Sequence, residues 1–484
     1  MKYLLLFIFS VSSLQVFSCT NFIVTRGASK DGSVMITYAA DSHTRYGAIA
    51  YFSASDHLPG SRCEVYHYEN GKLLGTIPEV PHTFSVVQFM NEKQVAIGET
   101  TFGGLDSLAS QPGAILDYGS LMRIGLQRSR TAREMIRVMT ELVAEYGYAT
   151  SGESFSISDT REAWIMELIG KGKYEKGAVW VARLIPDGYV SGHANQARIT
   201  TFPFYKVNNW NDPKQTVFHS PDVISFARKQ GFYKGKEEAF SFSDVYNPLK
   251  FGGARFCDSR VWSFFRTVSS SVRNNPTLTD YVLGKFSREA RFSDLSPNPN
   301  GFVSNRLPLW VKPDSPVALQ DLMARMRDHF EGTPLNMVND PGAGPFKLPY
   351  RWRPMEFEVD STMYLCERAV ATQQTGYSFV AQSRGNVAEA AGGIYWFGVD
   401  DADGCVYAPF YSRISGIPES YAVGNGSMIT WSPTSAYWTF SQVNNWAYSR
   451  YNVIHPEIAS KQSFLEGQFI SQIPAIDAQA LEFS

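Results

Sequence analysis

Ser18-Cys19-Thr20-Asn21-Phe22 stands at the seam between an apolar leader and the rest of the chain, and it limits what can be built downstream. Asn21–Thr25 and Ser33–Tyr38 are short β-prone runs. Between them lie Arg26-Gly27 and Lys30-Asp31-Gly32, turn chemistry of the kind that joins antiparallel strands. Cys19 is therefore expected at the very start of a strand. Pairing of that strand in a sheet would hold residue 19 rigidly instead of leaving it on a frayed tail.

Upstream of the seam, Lys2 supplies a positive n-region, and Tyr3–Leu14 is an apolar run too short to span a bilayer. Val16-Phe17-Ser18 ends in a small residue. This pattern reads as a secretory leader over residues 1–18, leaving 19–484 as the folded chain. An exported protein is expected, whether periplasmic, secreted or surface-associated. The same residues also admit a lipobox, with Cys19 acylated as an anchor, although Phe17 is bulky where small residues are usual. No later stretch approaches the roughly 20 consecutive apolar residues of a membrane helix, so no transmembrane segment is expected.

Hairpin signals recur downstream. Phe84–Met90 and Gln94–Glu99 flank Asn91-Glu92-Lys93, and Ser154–Ser158 and Ala163–Glu167 flank Asp159–Glu162; Ala178–Arg183 reads as a further strand. Asp117–Gln127 and Thr131–Tyr146 are helical in pattern, the second with Thr131 and Glu134 as a capping box. Residues 203–250 are loop-rich, with a helix signal at Ser220–Lys229. Ser315-Pro316 opens another helix, buried along Leu319, Leu322, Met323, Met326 and Phe330. Strands return at Ser361–Arg368, Tyr377–Gln382, Gly393–Val399 and Cys405–Tyr411. Hairpins, then helices, then hairpins again, with no linker, argue for one α+β domain with helices on antiparallel sheets.

Charge narrows the partners. Forty-four basic residues stand against 46 acidic, a net charge of −2, which lacks the basic footprint of a nucleic-acid binder. Five cysteines occur; Cys63, Cys257, Cys366 and Cys405 allow two disulfides in three pairings, or serve as buried thiols. No C-x-x-C or H-E-x-x-H is present, so no metal or other cofactor is expected. A homo-oligomer is left open.

If the chain is cut before Cys19, one residue carries both a thiol and a free α-amine. The amine, with a pKa of about 7.7–8.0, takes the thiol proton near neutral pH and returns it to a leaving amine. Acylation of that amine would forbid this, so nucleophile and lipid anchor are exclusive readings. Several blocks decide between them. They are Cys19-Thr20 with Lys30-Asp31-Gly32-Ser33, Ala40-Asp41-Ser42, and Ala96-Ile97-Gly98-Glu99-Thr100-Thr101. Further on come Leu116-Asp117-Tyr118-Gly119, Leu126-Gln127-Arg128, Thr131-Ala132-Arg133-Glu134, Glu162 with Trp164 and Glu167, Ala194-Asn195-Gln196, and Arg327 to Pro334. In this order, from Cys19 to about Tyr411, the chain resembles the cysteine-type dipeptidases, often called dipeptidase A, among the N-terminal nucleophile hydrolases.

The resemblance implies a four-layer αββα sandwich and metal-free hydrolysis of dipeptides or short peptides. Distant relatives cleave bile-salt amides and penicillin side chains, which keeps an amidase as the alternative. It implies roles for Asp41, as orienter of the terminal ammonium, and for Asn195, as an oxyanion donor worth ~2.7–4 kcal/mol of barrier. Arg255 resembles an arginine that reaches the nucleophile, with Arg260 as the near alternative. Glu99 and Thr100 end a strand expected beside Cys19 and are candidates to hold substrate; a carboxylate such as Glu99 is the natural partner of a free ammonium. His193 reads as a pocket residue or, more simply, a satisfied structural histidine. Relatives often carry arginine where this chain has Tyr38, and a phenol supplies neither its charge nor its fork of donors.

Overall fold

A computed structural model describes residues 18–285, 306–351 and 356–482; the leader predicted for residues 1–18 lies outside these apart from Ser18. Two large sheets dominate, and every strand pair within them is antiparallel among the described residues. In the seven-stranded sheet the order is β12 (Trp310–Val311), β10 (Val190–His193), β1 (Ser18–Val24), β2 (Val34–Asp41), β13 (Thr375–Ser383), β14 (Gly393–Val399) and β15 (Ala408–Tyr411). The eight-stranded sheet runs β11 (Val217–His219), β9 (Ala178–Leu184), β8 (Ala163–Gly170), β7 (Gly152–Ser158), β6 (Ala96–Gly103), β5 (Met90–Asn91), β4 (Val86–Val87) and β3 (Tyr51–Phe52).

The predicted Cys19 hairpin is present: β1 pairs β2 with Cys19 opposite Ala40 and Ser18 opposite Asp41. β1 and β2 sit mid-sheet and face β6 and β7. Helices α1 (Tyr118–Gln127) and α2 (Ala132–Tyr146) lie against the eight-stranded sheet, while α4 (Ser259–Val268) and α5 (Leu319–Met326) lie against the other; α3 (Val223–Lys229) packs on β9. With cover on both faces, all eight residues of β2 are buried. That is why Val34-Met35-Ile36-Thr37-Tyr38-Ala39-Ala40 reads as one apolar run instead of alternating. Each fully buried Val, Ile or Met there contributes roughly 1.5–3 kcal/mol.

Local chemistry moved several boundaries. The expected strand over Phe84–Met90 is broken into β4 and β5, because Gln88 adopts a positive φ of 51° and turns its side chain to the Ala50 N–H. Thr131 does cap α2, accepting from the Glu134 N–H, but the Glu134 carboxylate returns to Arg130 instead of Thr131. Around residue 316 the helix begins later than Pro316 suggested. Val317 exchanges backbone hydrogen bonds with Ala28 and Lys30, which keeps it extended, and Asp321 caps Ala318. Only Thr362–Leu365 of the Ser361–Arg368 run is a strand, paired to Glu356–Val359 across Asp360 and Ser361, both at positive φ. All five cysteines are free thiols.

Two helices at the end, α6 (Ala436–Ser449) and α7 (Tyr451–Glu482), carry no counterpart in the sequence reading. α7 is moored by polar ties: Tyr451 Oη donates to Asp403 at 2.6 Å, His455 Nε2 lies 2.9 Å from the same carboxylate, and Arg384 pairs with Asp477. His329 lies buried beside this knot. Burial would push its imidazole down, but Asp403 and Glu331 more than offset this and hold it up at about 9. Its contribution is therefore complete below the ordinary histidine pKa of about 6.5 and is lost as pH rises through about 9. Thermal melts of the wild type should fall more steeply between pH 7 and 10 than those of His329→Gln; parallel curves would show that the imidazolium does not stabilise the fold.

Candidate active site

Four elements converge on residue 19. Cys19 is 4% exposed at the start of β1. Its nitrogen, here the peptide nitrogen joined to Ser18, occupies the place of the α-amine that cleavage would release. That N–H donates to Asn195 Oδ1 at 2.9 Å. Its sulfur lies 3.6 Å from Tyr38 Oη and 3.7 Å from Glu99 Oε1, and Tyr38 Oη donates to Glu99 Oε1 at 2.7 Å. The Cys19 carbonyl and Thr20 Oγ1 each accept from one guanidinium nitrogen of Arg260 at 2.7 Å. The other terminal nitrogen donates to the Ala194 carbonyl and to Asn195 Oδ1, at 3.1 and 2.8 Å.

Backbone conformation places Asn195. It follows β10 with φ of 63°, a left-handed geometry that asparagine tolerates better than most residues. Two donors meet its Oδ1, while Nδ2 donates to the Thr101 carbonyl at 2.7 Å, so the amide orientation is set by its partners. Glu167 from β8 steadies the same loop by accepting the N–H groups of Arg198 and Ile199; burial pushes its carboxyl up to about 7.

The two arginine candidates separate cleanly. Arg255 lies in a π-helical turn, Gly253–Asp258, and forms a two-point ion pair with Glu367. Arg260, five residues on in α4, is the one that reaches residue 19. Such π turns are frequent at functional sites because they re-aim side chains within a helix.

Asp41 directs its carboxylate elsewhere, accepting from Arg368 at 3.0 Å and Thr375 Oγ1 at 2.6 Å. Burial lifts it to about 6 against the pull of Arg368. Thr100 points to the opposite side of β6 from Glu99 and meets His193 Nδ1 at 2.7 Å; His193 Nε2 meets Ser156 Oγ at 2.7 Å. Burial drives that imidazole down to about 3, so it is a neutral bridge between the two sheets. Tyr38, Arg368 and Thr375 were not read as site residues; Arg368 and Thr375 lie more than 300 positions from Asp41 in sequence, and only the pairing of β13 with β2 brings Thr375 beside it.

Electrostatics follow from this closed geometry. Burial pushes the Cys19 thiol well up, and the Glu99 and Asp41 carboxylates add to the rise; hydrogen bonding with Tyr38 and with the Asp41 backbone acts against it. A chain still joined through Ser18 therefore holds a neutral thiol at physiological pH. A protonated amine on the same residue would add positive charge beside the sulfur and lower its pKa.

Comparison with known proteins identifies the family. The chain matches the description of Peptidase family C69 over residues 18–463. It is 23% identical over 426 residues to a protein named "Probable dipeptidase" from Latilactobacillus sakei, covering 84% of this chain and 77% of that one. A "Probable dipeptidase" from Salmonella dublin is 21% identical, with 85% of this chain and 84% of the relative covered. A "Probable dipeptidase B" from Streptococcus pyogenes serotype M1 is 22% identical over 96% of this chain and 85% of that protein. The chain is thus a peptidase. It belongs to peptidase family C69.

Proposed function

We propose that this chain is an exported dipeptidase whose nucleophile is the Cys19 thiol and whose general base is the α-amine freed by cleavage before Cys19. The two facing sheets with helices outside are read as the four-layer order of the N-terminal nucleophile hydrolases. The relatives' names supply the substrate class, dipeptides. One distance supports it from within: Glu99 Oε1 lies 3.7 Å from the sulfur. In a dipeptide the free nitrogen is two bonds from the scissile carbon, about 2.5 Å away, and a nucleophile closes on that carbon from about 3–3.5 Å. A carboxylate at Glu99's position therefore meets the substrate ammonium when the first peptide bond lies over Cys19. Longer reach from a free amino end would misplace the scissile carbon.

In this reading Asn195 Oδ1 holds the amine of residue 19 and Arg260 holds Asn195. Its Nδ2 faces Thr101, so Asn195 is assigned to orienting the amine and not to the oxyanion. Asp41 acts on the sulfur in two opposed ways, its charge raising the thiol's pKa and its backbone hydrogen bond lowering it, and the same charge is assigned to steadying the protonated amine of residue 19. A nitrogen held this way inside the protein also favours a free amine over an acylated anchor.

Glu99→Gln should lower kcat/KM for free dipeptides about 10–100-fold, the loss of a charge-assisted hydrogen bond worth ~1.5–3 kcal/mol. N-acetylated dipeptides should change far less. Equal loss on both substrates would remove the ammonium role. Preference for bile-salt or penicillin amides over a dipeptide panel would overturn the substrate class.

A further inference from the structure

We infer that the ammonium of a dipeptide binds between the carboxyl groups of Glu99 and Glu153, displacing one proton that the two share, so that each binding event releases a proton. This rests on the dipeptidase reading above and adds Glu153 as a residue that determines specificity.

Register brings the pair together. β6 and β7 are antiparallel with Glu99 opposite Phe155 and Thr101 opposite Glu153, which makes the two glutamates diagonal neighbours on one face. Both are buried, at 2% and 1% exposure. Each uses one oxygen within the protein: Glu99 Oε1 accepts from Tyr38, and Glu153 Oε1 accepts from Thr101 Oγ1 at 2.8 Å. Each leaves Oε2 buried with no donor from any other described residue, so the two have only each other. Beside them, burial raises the pKa of the Tyr148 hydroxyl, and Glu153 is the charge that adds most to the rise. Buried polar atoms are ordinarily paired, and here a single proton is all that pairs two adjacent carboxyls, a place that a cationic donor can take.

Two carboxylates cannot both ionise side by side in a buried site, so the pair retains one proton. Burial and the Glu99 charge push Glu153 well up, whereas the Tyr38 and Glu153 hydrogen bonds restrain the rise of Glu99. Glu153 is thus the protonated member and donates to Glu99. The groups facing the pair do not replace this proton. Cys19 from β1, Tyr38 from β2, Tyr118 from α1 and Tyr148 are all neutral with raised pKa values. Arg45 is paired with Glu69 and lies over the Tyr68 ring.

An ammonium brings three donors and a full positive charge, enough to satisfy both Oε2 atoms at once. The step balances: the Glu153 carboxyl O–H gives its proton to solvent, no covalent bond to carbon or nitrogen changes, and two carboxylates then flank one ammonium. A neutral, N-acylated amino end offers one donor and no charge, and leaves the proton in place.

Calorimetry of the mature protein with a dipeptide isostere, hydroxyethylene replacing the scissile amide, tests this. At pH 6 the ligand amine is fully protonated, its pKa being about 7.7–8.0. Titrations in buffers of different ionisation enthalpy should report release of about one proton per isostere bound. In Glu153→Gln, whose amide oxygen can still accept from Thr101, release should fall to near zero, and affinity for the free-amino isostere should fall about tenfold relative to its N-acetyl form. Tight binding with no proton released, in the unaltered protein, overturns the inference and leaves the dipeptidase reading standing. Release unchanged in Glu153→Gln also overturns it. An isostere that does not bind at all removes both.

Discussion

Cys19→Ala is expected to abolish dipeptide hydrolysis, a fall on the order of 10⁶ in kcat as for loss of other activated nucleophiles, while the fold stays intact. The separation of effects follows from geometry. The sulfur makes only long contacts, 3.6 Å to Tyr38 and 3.7 Å to Glu99, so its removal breaks little. The strand is held by backbone: the register with β2, the N–H to Asn195 and the carbonyl to Arg260 survive in alanine. Cys19→Ser keeps an attacking oxygen and should retain a trace of turnover. Intact mass and Edman degradation of the active wild type should give an unmodified Cys19 as first residue. Turnover unchanged in Cys19→Ala, or activity in material still joined to Ser18, would end the mechanism. Diacylglycerol on Cys19 would do the same, since an acylated amine accepts no proton.

What could be read in advance divides along the range of the interactions. The Cys19 hairpin, α1, α2 and β13 announce themselves through local signals, apolar periodicity and turn residues, and these fall close to where they were expected. Boundaries failed where a distant partner took over the backbone. Val317 is extended because Ala28 and Lys30 claim it, and Gln88 breaks a strand to reach Ala50. No window of neighbouring residues contains that information. The helices α6 and α7 went unread for a related reason: α7 carries Pro456 and Pro474 inside it, and its mooring depends on Asp403 and Arg384 far back in the chain.

The site shows the same division. Cys19 and Glu99 were recognisable from residue type and strand position, and the structure sets them side by side. Asp41 and Asn195 were named through the resemblance, but their partners were not legible. Arg368 and Thr375 come to Asp41 from across the sheet, and Asn195 turns its oxygen, not its NH2, toward residue 19. Glu153 had no sequence signal, because a glutamate at a strand start is ordinary; only the register with β6 exposes its pairing with Glu99. Tyr38 was legible as a departure from arginine. Its hydroxyl links Glu99 to the thiol without adding charge, and the guanidinium that does reach residue 19 arrives from α4.

That guanidinium carries the second large expectation. Arg260 is fully buried, with 0% exposure, and donates to Phe256, Cys19, Thr20, Ala194 and Asn195. It therefore ties the start of β1, the loop after β10 and α4 together around Cys19. Arg260→Met would leave several buried acceptors without donors and should destabilise the protein by about 3–5 kcal/mol, the range for breaking a buried charged interaction from one side. Arg260→Lys separates stability from catalysis. It retains the charge but not the fork, and three donors on one nitrogen cannot replace the five hydrogen bonds that the guanidinium makes to Phe256, Cys19, Thr20, Ala194 and Asn195. Stability should fall by only ~1–3 kcal/mol, whereas kcat should fall about 100-fold with KM little changed, because the amine of residue 19 loses its orientation and not its substrate. The pH profile adds an independent check. Burial raises the Asp41 carboxyl to about 6, and Arg260 is, after Arg368 and Thr375, among the groups that oppose the rise, so the methionine variant should shift any acid limb due to Asp41 to higher pH, and the lysine variant should not. A lysine variant with wild-type kcat would mean that the fork does not set the nucleophile's geometry, and the assignment of Asn195 to the amine would fall with it.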